Sequence, residues 1–163
     1  MADLLLPGQF EALIRPVFEA LPLERAMGRL VVDTPPTDAE VVDAAARVAE
    51  AVASPALAGR LDLVSGLWLY VDDLDRAHAA CQALETPTGS YWHGVVHRRE
   101  GDFSNACYWF GRAGEHPAMD AVDADGFVQR VAAAYGRGDH SDIDHVAAQR
   151  AEWAALFGWC VGR

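Results

Sequence analysis

The segment from Gly89 to Phe110, GSYWHGVVHRREGDFSNACYWF, gathers two histidines, two adjacent arginines and six aromatic residues, together with Glu100, Asp102 and Asn105. On a helix, His93, His97 and Glu100 fall at i, i+4 and i+7 and form one polar stripe. A histidine pair at that spacing can chelate a divalent metal such as zinc through imidazole nitrogens, provided that a third ligand and an orienting shell join it. Candidates for the third ligand are His78, one helical hairpin earlier, Asp75, which shares a face with His78 at i+3, and Glu100 itself. In a catalytic site, His93 or His97 would be the general base or a metal ligand, and Glu100 a proton acceptor or orienting group. Gly94, Val95 and Val96 stand between the histidines, so the pair is not the H-E-x-x-H motif of metalloproteases.

A second stripe follows. Asn105, Trp109, Arg112 and His116 lie at i, i+4, i+7 and i+11, and Arg98 and Arg99 come from the preceding helix. Guanidinium forks match carboxylate or phosphate oxygens, and an indole face can stack on a planar ring, so this set suits a small anionic molecule. The same residues also support a purely structural account. Glu100, Asp102 and Glu115 balance three arginines within residues 97 to 116, and Asp72, Asp73 and Asp75 could take the remaining guanidinium valence in salt bridges between helices. His93 and His97 could likewise be half-buried and bonded to Asp75 and Glu100.

The elements that must position these residues read as helices throughout, with no convincing alternating strand. Thr37 and Glu40 stand at capping-box spacing before an Ala/Val helix reaching about residue 53. Ser54 and Pro55 suit the N-cap and first position of the next helix, through LVSGLWLY. Asp72 or Asp73 restarts the chain as DLDRAHAACQALE, ETPTGS breaks it, and YWHGVVHRRE resumes it. Asp102 is the natural N-cap of the following helix, which Gly114 and Pro117 end. Helices near 124 to 135 and from Ser141 to about 161 complete the expectation, and LVVDTPP at 30 to 36 could be a short extended piece. In the last helix Val146, Trp153, Leu156, Phe157 and Cys160 form one apolar stripe, the pattern of core packing. His140 and His145, in an acidic turn and helix start, read as solvated.

The middle of the chain carries an internal repeat. Leu74, Ala77, Cys81 and Leu84 recur as Phe103, Ala106, Phe110 and Ala113, each block preceded by an acidic turn and followed by a proline. With Gly94, Gly101 and Asp102 these positions resemble the tetratricopeptide helix pair, although the offset between blocks is shorter than that family's repeat. The resemblance implies stacked antiparallel hairpins over about 57 to 117 and a non-catalytic module that presents a groove to another protein. The core GSYWHxxxHRRExDxxNAxYWFxR, together with EWAALFGWC near the C-terminus, is also similar to a bacterial and fungal family. That resemblance spans about half of the chain and brings no activity with it.

Composition sets the outer bounds. A chain of 163 residues with 52% hydrophobic side chains can bury a substantial core, and one all-α domain over 1 to 163 is expected. The net charge of −11 repels phosphate backbones and anionic headgroups, which argues against nucleic acid and membrane partners. All 13 basic residues are arginine, so Schiff-base chemistry and a phosphate-loop lysine are excluded. The N-terminal stretch lacks the basic start and long apolar run of a secretory signal, and three dispersed cysteines, Cys81, Cys107 and Cys160, suit a reducing cytoplasm. The expectations are therefore a small anionic ligand or a divalent metal, a metal-dependent hydrolase among the chemistries such a metal allows, or a protein partner. A homodimer is compatible with the sequence.

Overall fold

The computed structural model describes residues 6–119 and 123–163, and in them eight α-helices and no strand. They are α1 (Gly8–Ala20), α2 (Ala39–Val52), α3 (Leu61–Tyr70), α4 (Leu74–Gln82), α5 (Pro87–Glu100), α6 (Phe103–Ala113), α7 (Ala124–Gly136) and α8 (Ile143–Val161). The all-α expectation therefore holds. No helix among the described residues is long and apolar enough to cross a membrane.

Helix entries are set mainly by short side chains that accept orphan N–H groups. Asp73 accepts from Arg76 N at 3.1 Å and Asp102 from Asn105 N at 3.2 Å, so α4 and α6 start with the same device one repeat apart. The α2 cap differs from the sequence expectation: Asp38, not Thr37, accepts from Glu40 N at 3.0 Å. Ser54 and Pro55 do not open α3. Ser54 caps only a turn at Ala56 N, and the helix starts at Leu61. The stretch ETPTGS is a helix entry instead of a break: Thr86 accepts from Gly89 N at 3.1 Å and Pro87 takes the first helical position, where its missing N–H has no cost. A side chain at Gly89 would place Cβ 2.0 Å from Leu84 O, so only glycine lets the chain fold back this tightly. The exit of α5 falls at Gly101, whose φ of 82° is a left-handed cap. Residues 30 to 36 form no strand, although Leu30 N bonds His140 O at 2.8 Å and Val32 N bonds Arg99 O at 2.7 Å.

Helix α5 packs on both α4 and α6, while α3 contacts α2, α4, α5 and α8. The main core draws on all eight helices, with Val128 from α7, and α7 also closes a smaller cluster with Leu30, Val31 and Val146. The apolar stripe of α8 is buried as expected: Trp153 stacks on Phe157 at 4.6 Å and donates its indole N–H to Gly66 O at 2.8 Å. Two small residues set the closest helix approaches. A Cβ at Gly66 would meet Phe157 at 2.6 Å, and one at Gly94 would meet the Phe110 ring at 2.8 Å. The Gly94 contact seats α6 against the stretch of α5 that carries His93 and His97.

Candidate metal centre

Three imidazoles meet between α4 and α5. His78, from the second turn of α4, faces His93 and His97, one turn apart on α5, and each offers a nitrogen within 4.8 Å of the others. His93 Nε2 and His78 Nε2 stand 2.8 Å apart, a hydrogen bond in which one ring donates and the other accepts. The rings of His93 and His97 are near-parallel, with centroids 4.9 Å apart, while His78 sits edge-on to both. A tetrahedral zinc with Zn–N bonds near 2.0–2.1 Å needs ligand nitrogens about 3.3 Å apart, which falls inside the range these atoms span. Closing the set asks for small rotations, and His78, with about a third of its side chain exposed, has the room to make them.

Glu100 supports two of the three rings. Its Oε2 is 2.9 Å from His97 Nδ1 and its Oε1 is 3.4 Å from His78 Nδ1, contacts of ion-pair range and not aligned hydrogen bonds. A carboxylate facing Nδ1 favours the Nδ1–H tautomer and leaves Nε2 as the lone-pair donor, the arrangement found behind metal-bound histidines. His93 is supported differently, by Trp109 stacked on its face at 3.9 Å. Burial, and then the neighbouring His78 and His97, push the His93 imidazole down to about 4, so its ring is neutral and carries a free lone pair near neutral pH.

Asp75 does not join this group. It lies one turn earlier on α4, is exposed, and lines a separate cavity with Glu100 and residues of α2. The i+3 relation to His78 holds along the helix, but His78 points at α5 and Asp75 at the α2 side.

The arginines expected to clamp an anion are engaged elsewhere. Arg98 is fully buried on the far side of α5, forked onto Glu152 of α8 (Nη1 to Oε1 3.1 Å, Nη2 to Oε2 2.5 Å) and packed over the Phe127 ring at 4.4 Å. Tyr91 donates to the same carboxylate at 3.0 Å. Arg99, also fully buried, donates to Leu69 O, Arg29 O and Asp72 Oδ1 at 3.0, 3.1 and 2.7 Å. That fork holds the α3–α4 turn in place, including Asp72 at a φ of 60°. Asn105 is exposed and returns its amide to Asp102 at 2.7 Å. Arg112 is exposed over Tyr108 and Trp109, and His116 is buried at the other end of α5, 3.0 Å from Thr88 Oγ1 and edge-on to Trp159. The six residues of the expected anion stripe thus occupy several environments and do not line one pocket. Adjacent arginines on a helix diverge by about 100°, so Arg98 and Arg99 could not both have faced it.

The buried polar residue that sequence reasoning missed is Glu152, which holds Arg98 and Tyr91 and shares the buried face of α8 with Gln149. Its only sequence signal is that it sits next to Trp153, inside the stretch expected to be core. His140 and His145, expected to be solvated, are half-buried, and His145 Nδ1 pairs with Asp142 at 2.7 Å.

The chain matches no protein-family model, no curated protein and no solved structure.

Proposed function

We propose that this protein binds one divalent metal ion, with zinc the best fit, through His78, His93 and His97. The observation that carries this is the convergence of three neutral-capable imidazoles from two helices, with all ligand nitrogens inside 4.8 Å. An all-imidazole donor set suits zinc and its neighbours better than calcium or magnesium, which prefer oxygen. Glu100 is the orienting group behind His78 and His97, and Trp109 holds the plane of His93. Three protein ligands leave a coordination position for water or a substrate atom, and a metal there supplies Lewis acidity and an acidified water. Metal-dependent hydrolysis is the reaction class consistent with that position. The protein's own part is to bring the three imidazoles together, to set the tautomers of His78 and His97 through Glu100, and to leave the His78 side open to solvent.

The hairpins α3–α4 and α5–α6 are read as tetratricopeptide-like, a proposal supported by the equivalent caps Asp73 and Asp102. A cytoplasmic setting agrees with three free cysteines. The test of the metal proposal is metal analysis and zinc calorimetry on protein purified without a histidine tag. About one equivalent of zinc should bind in the native protein and none with measurable affinity in His97→Ala. Uptake of less than about half an equivalent, or unchanged uptake in His97→Ala, overturns the proposal.

A further inference from the structure

A metal held by His78, His93 and His97 has two unlike flanks. On the α4 side stands Asp75, exposed and one turn from His78. On the α6 side stands Trp109, stacked on His93 at 3.9 Å. Against that indole lies Arg112, its guanidinium carbon 5.5 Å from the Trp109 ring centre and 5.9 Å from that of Tyr108. The guanidinium is thus one indole away from the His93 ring. Tyr108 is 56% exposed and Arg112 is exposed, so this flank is open to solvent.

In a chain of net charge −11 an unpaired arginine is the exception. Nine of the 13 arginines meet a carboxylate among the described residues, so only four are left to consider. Arg150 donates to Ala26 O, Arg163 lies over Trp159, and Arg137 ends α7. Arg112 has neither a carboxylate nor a carbonyl partner among the described residues, and its contacts are the Tyr108 and Trp109 rings. Its N–H donors are therefore available to a ligand, while the rings restrict where the guanidinium stands. A divalent ion on three neutral imidazoles keeps its full charge, and Glu100 offsets only part of it. With Arg112, the centre and its α6 flank form a positive island on an acidic protein, whereas Asp75 repels anions from the α4 flank.

We propose that the metal centre takes small molecules with an oxyanion tail, a carboxylate or a phosphate, whose other end supplies an oxygen to the metal's open position, and that Arg112 holds the tail. This names the substrate class of the proposed metal site and rests on that reading. The guanidinium fork matches the oxygens of either tail, and Trp109 between the two charges gives the body of the molecule a surface to lie against. The tail points toward α6, because Asp75 stands on the other side. Arg98 and Arg99 take no part, being spent inside the fold on Glu152 and Asp72.

Zinc uptake is measured first, on the native protein and on Arg112→Gln. Arg112 is exposed and is not a ligand, so equal uptake and unchanged helical melting are expected. The α,ω-dicarboxylates from succinate to suberate are then titrated calorimetrically into zinc-loaded protein, each against the monocarboxylate of the same chain length, which reaches the metal but has no tail. At least one dicarboxylate should bind at least about fivefold more tightly than its monocarboxylate. In Arg112→Gln that advantage should shrink to about twofold, the statistical factor for two equivalent ends, with the monocarboxylates unaffected. Repeating the titration with one carboxylate replaced by a phosphonate tells the two tails apart: the tighter binder names the tail, provided that its advantage is also lost in Arg112→Gln. Zinc uptake with no dicarboxylate advantage, or an advantage that survives in Arg112→Gln, overturns this inference and leaves the metal reading standing. Absence of zinc uptake by the native protein overturns both.

Discussion

Arg98 is where the structural and ligand-binding roles of the arginines part most clearly, and replacing it by methionine tests which is right. The guanidinium is wholly buried, makes both arms of a fork to Glu152, and lies over the Phe127 ring. Arg98→Met removes the charge while keeping most of the side-chain volume, and leaves Glu152 buried with Tyr91 as its one remaining partner among the described residues. Breaking one side of such a pair costs about 3–5 kcal/mol, because the remaining ion is desolvated without compensation. For a chain of this length that is a loss of roughly 10 °C in melting temperature. Glu152→Met, which strands the Arg98 guanidinium, should cost a similar amount. The double variant Arg98→Met/Glu152→Met should recover most of it, because two apolar groups of similar size replace the pair without leaving a charge behind. Urea unfolding followed by far-UV circular dichroism measures all four corners of the cycle. A loss below about 1 kcal/mol for Arg98→Met, with no coupling to Glu152, would refute the reasoning, since a surface arginine costs no more than that.

Three further outcomes follow from the same geometry. In metal-free protein His93 titrates near 4 when folded and near 6.5 when unfolded, so between those values the unfolded chain holds the extra proton. Its contribution is complete above about pH 6.5 and is lost as pH falls toward 4; at about 1.4 kcal/mol per pH unit the loss is roughly 3 kcal/mol. Urea unfolding of the native chain against His93→Asn should show that difference, and identical pH dependence in the two would contradict it. Gly94→Ala puts a methyl 2.8 Å from the Phe110 ring, so it should destabilise by about 1–3 kcal/mol and, by pushing α6 away, loosen Trp109 from His93; unaltered urea stability would contradict that packing. Burial pushes the Cys81 and Cys160 thiols up to about 12, so a thiol reagent at pH 8 should label only half-buried Cys107 in the native state and all three cysteines in denaturant. Fast native labelling of Cys160 would be inconsistent with its position under α3.

Much of the site was legible because it depends on local periodicity. The i, i+4 spacing of His93 and His97 is a property of one helix, and the repeated blocks that follow Asp73 and Asp102 placed His78 on the adjoining hairpin. The Asp102 cap could be read from Gly101 and the apolar run after it. What failed was tertiary or ambiguous. Periodicity puts Asn105, Trp109, Arg112 and His116 on one face, but the face alone does not say which side chains spend themselves on nearer partners, as Asn105 does on Asp102. The Arg98–Glu152 pair joins residues 54 apart in sequence, so no local pattern announces it. Thr86-Pro87 was misread because proline stops a helix from inside and starts one from its first position, and only the chain's direction at Leu84 distinguishes the two. The cavity lined by Asp75 and Glu100 was invisible because its walls come from the 32–36 loop, α2 and the α3–α4 turn, segments that meet only in the fold.

The central claim, that three particular histidines take up one metal, is tested most directly by long-range ¹H–¹⁵N spectra of the imidazoles during zinc titration. The chain has six histidines, so each serves as a control for the others. Resonances of His78, His93 and His97 should move together and saturate near one equivalent of zinc, while His116, His140 and His145 stay in place. Spectra in which the three do not shift, or in which the other three shift in their stead, would contradict the account.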